Sequence, residues 1–326
     1  MSKHASEIAS ALRSNDSFLL SVHINPDGDA LGSQLALLFA LRKIGKRVAA
    51  HNLDPVPETY RFLPGAGEIT SGGTLPSGPF DALVVLDAEP SRTGLFDGNY
   101  PARTLINIDH HVTNPLIWPL TWLDTNASAT GEMVYHLIRE LGVAIERDIA
   151  LCLYTSIFTD TGSFRYTNTT PAAMRIAAEL IASGADPWQV TENVYESFTM
   201  GRLKLLGHVL AAMERSADGM IAWVIITDEL YRITGTTAED TDNLINFVRS
   251  VKGVEVAVLF RQTGPREYKL SLRSKGRVDV SGIAKSLGGG GHANASGCVM
   301  EGTIEEVRTL LIQKVSDAIR EHLTGR

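Results

Sequence analysis

The 326-residue chain has only two cysteines, Cys152 and Cys298, far apart and in apolar surroundings. So few exclude a disulfide framework and a cysteine-rich zinc site, and they fit a reducing compartment. Long apolar runs are also missing. No stretch approaches the roughly 18 residues that a membrane span needs. The N-terminal MSKHASEIASALRSNDS is polar and lacks the apolar core of a signal peptide, so a cytoplasmic protein with no membrane partner is expected. Net positive charge is absent as well. A formal charge of −7 argues against a surface built to grip long duplex nucleic acid. What remains is an ordinary globular composition, 44% hydrophobic and 21% charged, with length enough for two domains.

The charge is uneven. Residues 249–285 hold nine bases (Arg249, Lys252, Arg261, Arg266, Lys269, Arg273, Lys275, Arg277, Lys285) against three acids (Glu255, Glu267, Asp279). That segment carries +6 and the rest of the chain −13. A solvated strand face explains this as well as a grip on an anionic ligand from one side does.

The first half alternates strand and helix patterns. Short apolar runs at 18–22, 47–50, 81–86 (DALVVL) and 104–108 (TLINI) predict buried parallel strands, and helical periodicity follows at 30–44, 130–141, 147–158 and 171–183. The expected class is α/β: a larger N-terminal domain with a parallel sheet flanked by helices, binding ligands at the carboxyl ends of its strands. Gly184-Ala185-Asp186-Pro187 interrupts the pattern. The expected division is a domain at 1–186, a helical connector at 187–215 and a smaller α/β domain at 216–326, with strands at 220–226, 254–260 and 268–273 and a closing helix at 303–322. The 64–79 stretch reads as a surface loop.

Four constellations in the first domain carry chemistry. Val22-His23-Ile24-Asn25-Pro26-Asp27-Gly28-Asp29 lies between a strand and a helix. Asn25-Pro26 and Gly28 predict a tight turn on which one His and two Asp side chains converge, a donor set suited to a divalent cation. One Asp could instead serve as a helix N-cap. Asp87 follows DALVVL, Asp109-His110-His111 follows TLINI, and Asp160 ends a helical run, where an uncompensated carboxylate is unfavourable. Five Asp and three His in one pocket would repel one another unless cations cancel the charge. Two divalent ions would do so and activate a water for attack on phosphorus. A fifth constellation, Gly288-Gly289-Gly290-Gly291-His292, lies downstream of Arg273-Ser274. Consecutive glycines bring backbone amides close to an anion, and arginine adds a forked donor, so a phosphate clamp is expected there.

These motifs in this order resemble the DHH phosphoesterase superfamily, in the branch whose second domain is called DHHA1. The DHH-type segment covers about 15–165 and the GGGH-type segment about 255–300. The likeness is to the compact NrnA-type branch, manganese-dependent enzymes that degrade very short RNA and remove the 3′-phosphate from adenosine 3′,5′-bisphosphate (pAp). The resemblance implies an active site in the cleft between the domains and two Mn²⁺ ions, with Mg²⁺ or Co²⁺ as alternatives. His23, Asp27 and Asp87 would hold one ion, and Asp29, Asp87, His110 and Asp160 the other. His111 would contact the scissile phosphate or protonate the leaving oxygen, and Asp109 would orient the His pair. Arg273, Ser274, Gly290, Gly291 and His292 would bind the substrate.

Short RNA oligonucleotides or small nucleotides are therefore the expected substrates, and a homodimer is compatible with family habit. The SRKKQ-like signature of family II pyrophosphatases is missing, and an added oligonucleotide-binding domain as in RecJ has no room. A cyclic-di-AMP or pApA phosphodiesterase of the same superfamily is the alternative. A non-catalytic nucleotide-binding module is a remote one, since it should have lost a metal ligand.

Overall fold

The computed structural model describes residues 3–241 and 243–324, which divide into two compact units, Met1–Ser197 and Phe198–Arg326.

The first unit runs α1 (Lys3–Ser14), β1 (Ser17–Ser21), α2 (Gly28–Lys43), β2 (Arg47–Asn52), β3 (Thr70–Ser71), β4 (Ala82–Leu86), β5 (Thr104–Asp109), β6 (Leu120–Leu123), α3 (Thr130–Glu140), α4 (Arg147–Asp160), α5 (Pro171–Ala182) and α6 (Pro187–Tyr195). All strand pairs are parallel, in the order β3-β2-β1-β4-β5-β6. Every residue of β1 and β4 is buried, as expected of a parallel sheet covered on both faces. Phe18, Leu20, Val84 and Leu86 face a core shared with the helices. Leu19, Leu83 and Val85 face a smaller cluster closed by Phe96 and Trp118, from connections that are not α-helical. The helices thus gather on one face, and irregular chain covers the other.

The strand order reverses between β1 and β4. In open sheets of this kind, that switch point leaves a crevice at the carboxyl ends where ligands bind. Two glycines bring α2 and α4 together beneath it. A Cβ on Gly28 would lie 2.5 Å from Thr159 Oγ1, and one on Gly32 2.4 Å from the Cys152 carbonyl. Asp29 and Asp160 sit on those two helices. The sequence suggested a turn role for Gly28, but the left-handed residue of the turn is Asn25 (φ 51°). Gly28 instead provides clearance for α4.

The second unit comprises α7 (Met200–Ala211), β7 (Glu214–Arg215), β8 (Ile221–Ile226), α8 (Asp228–Thr234), α9 (Leu244–Ser250), β9 (Val256–Gly264), β10 (Glu267–Ser274), α10 (Val280–Lys285), β11 (Gly290–His292), β12 (Ala295–Glu301) and α11 (Ile304–Thr324). Its mixed sheet has the order β11-β12-β10-β9-β8-β7. Leu270, Leu272, Val256 and Val258 pack on α11 through Val307, Leu311, Val315 and Ile319. Ala222, Ala257 and Leu259 pack on α7 and α9 on the opposite face. Between α6 and α7 the chain passes from the first unit to the second. No helix among the described residues is long and apolar enough to cross a membrane.

Candidate metal centre

Seven potential ligands come together at the switch point, His111 among them in a group with Asp87 and His110. His23, Asp27 and Asp87 form one group whose donor atoms lie within 4.8 Å of one another, and Asp29, His110 and Asp160 form a second. Asp87 faces both with different oxygens. Its Oδ2 is 3.5 Å from His23 Nε2, and its Oδ1 is 3.6 Å from His110 Nε2. Asp87 holds this position in the left-handed region, at φ 60°, which costs a non-glycine residue about 1–3 kcal/mol and recurs at functional sites.

Each candidate ligand of these two sets is aimed by groups that carry no charge. The two facing imidazoles engage backbone carbonyls through Nδ1, His23 with Ile24 at 2.8 Å and His110 with Ala127 at 3.2 Å. That arrangement protonates Nδ1 and turns Nε2 toward the carboxylates, the tautomer a metal ligand needs. Asp27 caps α2, its Oδ1 accepting the amides of Asp29 and Ala30 at 3.0 and 3.1 Å. Capping and a place among the candidate ligands are therefore combined in one residue.

Asp29 caps a helix to which it does not belong. The N-cap position of α3 is Ala129, which offers no side-chain acceptor. The orphan amides of Thr130 and Gly131 donate to Asp29 instead, at 2.7 and 3.1 Å. Ser33 Oγ (3.1 Å) and Ser156 Oγ also donate to its Oδ1, leaving Oδ2 toward His110 Nε2 at 3.7 Å. A Cβ on Gly131 would meet Ser156 Oγ at 1.9 Å, so glycine there keeps the approach open. Thr130 Oγ1 donates to Asp87 Oδ1 at 3.0 Å, so one residue binds both Asp29 of α2 and Asp87 at the end of β4. Asp160, the last residue of α4, accepts from Asn168 Nδ2 at 3.1 Å, and the same amide reaches the Ser128 carbonyl.

The electrostatics match a cationic guest. Burial pushes the Asp160 carboxyl up to about 7; His110 opposes the shift, while Asp87 and Asp27 add to it. Burial also raises Asp29, with help from Asp87 and Asp160. Burial would lower both facing histidines, but it is outweighed. The Asp87 hydrogen bond and the Asp27 and Asp87 charges bring His23 to about 9, and the Asp29, Asp160 and Asp87 charges bring His110 to about 9. Burial would raise Asp87, yet the three neighbouring imidazoles hold it well below the usual carboxylate range. Asp29, Asp160 and the two imidazoles thus hold protons that a divalent cation would displace, and mixed Asp/His donors suit such a cation.

His111 differs from its neighbour. Its Nδ1 lies 3.7 Å from Asp87 Oδ1, but that nitrogen is committed to Asp109 at 2.6 Å. Asp109 is fully buried at the end of β5. Burial would raise its pKa, but hydrogen bonds from His111 and Asn114 lower it.

The substrate-side residues predicted in the second unit lie on the sheet. Arg273 is paired with Ala295, and Ala295 with His292, which places them in one row across three strands; the His292 side chain is outside the described residues. Arg273 Nη1 donates to the Leu272 carbonyl at 3.0 Å. Ser274 is buried, its hydroxyl 3.2 Å from Asn294 Oδ1. Gly290 and Gly291 pair with Gly297 and Ser296 as part of β11. A Cβ on Gly291 would meet the Ala295 carbonyl at 2.5 Å, and one on Gly289 the Gly297 carbonyl at 2.1 Å, so strand pairing itself requires these two glycines. Around Gly290 no described atom lies within 4 Å of that position.

Sequence reasoning passed over Thr130, Ser156, Asn168, Asn107 and Asn114. All are neutral and distant in sequence from most of the groups they hold. Only Asn107, inside TLINI, and Asn114, three residues beyond His111, sat close enough to a motif to be noticed.

The DHH family, N-terminal domain, matches residues 17–157, and the DHHA1 domain matches 224–321. The chain belongs to the DHH family and is a phosphoesterase with a DHHA1 domain. It is 38% identical to the bifunctional oligoribonuclease and PAP phosphatase NrnA of Thermus thermophilus, over 94% of this chain and 90% of that one. It is 30% identical to the Bacillus subtilis protein of the same name, over 86% and 88%. Its fold matches the crystal structure of an exopolyphosphatase-related protein from Bacteroides fragilis, with a TM-score of 0.88 and 27% identity over 99% of this chain and 98% of that one.

Proposed function

We propose that this chain is a Mn²⁺-dependent phosphohydrolase of short oligoribonucleotides and of pAp. The supporting observation is the pair of three-residue donor groups faced by the two oxygens of Asp87. The relatives named for these two activities support the choice of substrate. In this reading His23, Asp27 and Asp87 hold one ion, and Asp29, Asp87, His110 and Asp160 the other. Such ions, when bound, polarise a phosphoryl oxygen and lower the pKa of a water.

The chain's own residues do the rest. Thr130, Gly131, Ser33 and Ser156 fix the acids so that their oxygens need not reorganise during reaction. His111, with Nδ1 given to Asp109, turns its other nitrogen to the substrate and protonates the departing oxygen. Arg273, Ser274, the Gly290–Gly291 backbone and His292 bind the terminal phosphate or nucleotide, which favours short substrates over long strands.

The test is side-by-side turnover of pAp, di- to pentaribonucleotides, pApA and cyclic-di-AMP by purified protein with Mn²⁺. Release of AMP from pAp and of mononucleotides from short RNA is expected. Exclusive cleavage of cyclic-di-AMP or pApA would move the assignment to a dinucleotide phosphodiesterase, and no turnover of any of them would sink it.

A further inference from the structure

We propose that Asn114 is a positioning residue for His111, acting through Asp109; this rests on the phosphoesterase reading of the site. After β5 the chain turns back on itself, the Asn114 amide donating to the His111 carbonyl at 3.1 Å. Both hydrogens of the Asn114 side-chain amide are used inside the protein. Nδ2 lies 2.6 Å from Asp109 Oδ2 and 2.8 Å from Asn107 Oδ1. Its Oδ1 accepts the Leu116 amide at 2.9 Å. Asn107 in turn donates to the carbonyls of Val85 and Ala88 at 3.1 and 2.7 Å, the residues that bracket Leu86 and Asp87. A buried run of amides therefore ties the backbone around Asp87 to the carboxylate that holds His111.

The donor count fixes the direction of every bond. Asp109 Oδ1 accepts the His111 backbone amide at 3.1 Å and its Nδ1–H at 2.6 Å. Asn114 takes the other oxygen, so each side of the carboxylate is engaged and it can rotate toward neither ring nor solvent. An acceptor-only carboxylate selects the Nδ1–H form of the imidazole and sets its plane. Without Asn114, Oδ2 is a buried acceptor with one fewer donor, and the carboxylate is free to turn.

A plainer role is available, since Asn114 also supports Leu116, a non-glycine residue at φ 56°. The two roles separate with one substitution. Asn114→Asp keeps an oxygen for the Leu116 amide but faces Asp109 with a carboxylate in place of two N–H donors. Asn114→Ala removes both functions.

The full-length protein would be assayed with Mn²⁺ at pH 8 for kcat and KM on pAp and for metal affinity by calorimetry, and loaded with diamagnetic Mg²⁺ for spectroscopy. The downfield His111 Nδ1–H proton resonance, assigned by its loss in His111→Gln, would be followed in parallel. Both variants are expected to lose about tenfold in kcat, to keep KM and metal affinity within about twofold, and to lose or shift that resonance. Wild-type kcat and resonance in Asn114→Asp would assign the residue to the loop alone and overturn the proposal. So would a fall in kcat that tracks metal loss, or one with the resonance unmoved. Failure of the wild type to cleave pAp would count against the substrate reading, while the resonance still decides the positioning role.

Discussion

The two sheets treat their polar residues in opposite ways. At the carboxyl ends of β1, β4 and β5 the charged groups are largely buried and locked by neutral donors. Asp29 alone accepts from two amides and two hydroxyls. On β10 and β11 the predicted contact residues are less uniformly enclosed: Ser274 is buried, but Arg273, Gly290 and Gly291 are only half-buried. The first arrangement spends stability to fix donor atoms in place, as a divalent metal site demands. The second leaves the Arg273 side chain room to adapt, as the proposed binding of different short substrates would need. Losses in the first unit should therefore be nearly total, and losses in the second graded.

The largest effect is expected from Asp87→Asn. Asparagine tolerates the left-handed backbone and keeps the shape while removing the charge that faces both donor groups. Turnover of pAp should fall by ~10³ or more, with calorimetric Mn²⁺ binding weakened in both sites and the far-UV spectrum unchanged. Loss of only one binding event would break the claim that the residue serves both groups.

Gly291→Ala should act on stability rather than chemistry. With φ 137° and a carbonyl 2.5 Å from the added carbon, it should cost about 3 kcal/mol, read as a lower denaturation midpoint for the second unit. An unchanged midpoint would mean that β11 pairs differently.

Next in size is a pH effect on the first unit. In metal-free protein Asp160 at about 7 is raised above its unfolded value. It therefore contributes stability that is full below pH 4 and lost as pH rises through 7. His23 and His110 at about 9 are raised as well, so their contribution is full below pH 6.5 and fades as pH rises through 9. All three trends run the same way, and Asp87, depressed, is constant over that range. Tm of chelator-treated protein should fall between pH 5 and 9, and the gain in Tm on adding Mn²⁺ should grow with pH. A gain that shrinks with pH would show that the carboxylates and imidazoles do not hold the protons assigned to them.

The same contrast governs what could be read from the sequence. DALVVL and TLINI are buried on both faces and end directly before or at Asp87 and Asp109, so the strands announce the acids that follow them. The closing partners of those acids were silent, because Thr130, Ser156 and Asn168 carry no charge and their spacing to Asp29 or Asp160 obeys no period. Strand β12, with Ser296 and Gly297 in its first half, has little β-branched character and reads as loop, which left the glycine run before it looking like an open nest rather than a paired edge. Helix α1 shows its apolar face at Ala5, Ile8, Ala9 and Leu12, a 3,4-spaced stripe, but its polar remainder drew attention to targeting instead.

Arg273→Ala should raise KM for pAp about tenfold and change kcat little, the loss of one charge-assisted anchor, with Mn²⁺ affinity unaltered. A matching loss of metal would erase the division between the two units.

The smallest effect sharpens the reading of the glycine run. Gly290 and Gly291 are adjacent, and on sequence alone either could be the residue that brings a backbone amide to an anion. Gly290 has open space where a Cβ would go, while Gly291 is pressed against β12. Gly290→Ala should therefore leave the denaturation midpoint unchanged, because the methyl meets nothing among the described residues. Its effect on KM then measures how near a substrate comes to that backbone. A rise of about threefold to tenfold, with kcat and stability intact, places the phosphate or sugar against Gly290, since only a group in contact feels one methyl. A KM unchanged within about twofold would confine recognition to Arg273 and its row, and leave the glycines to strand pairing alone.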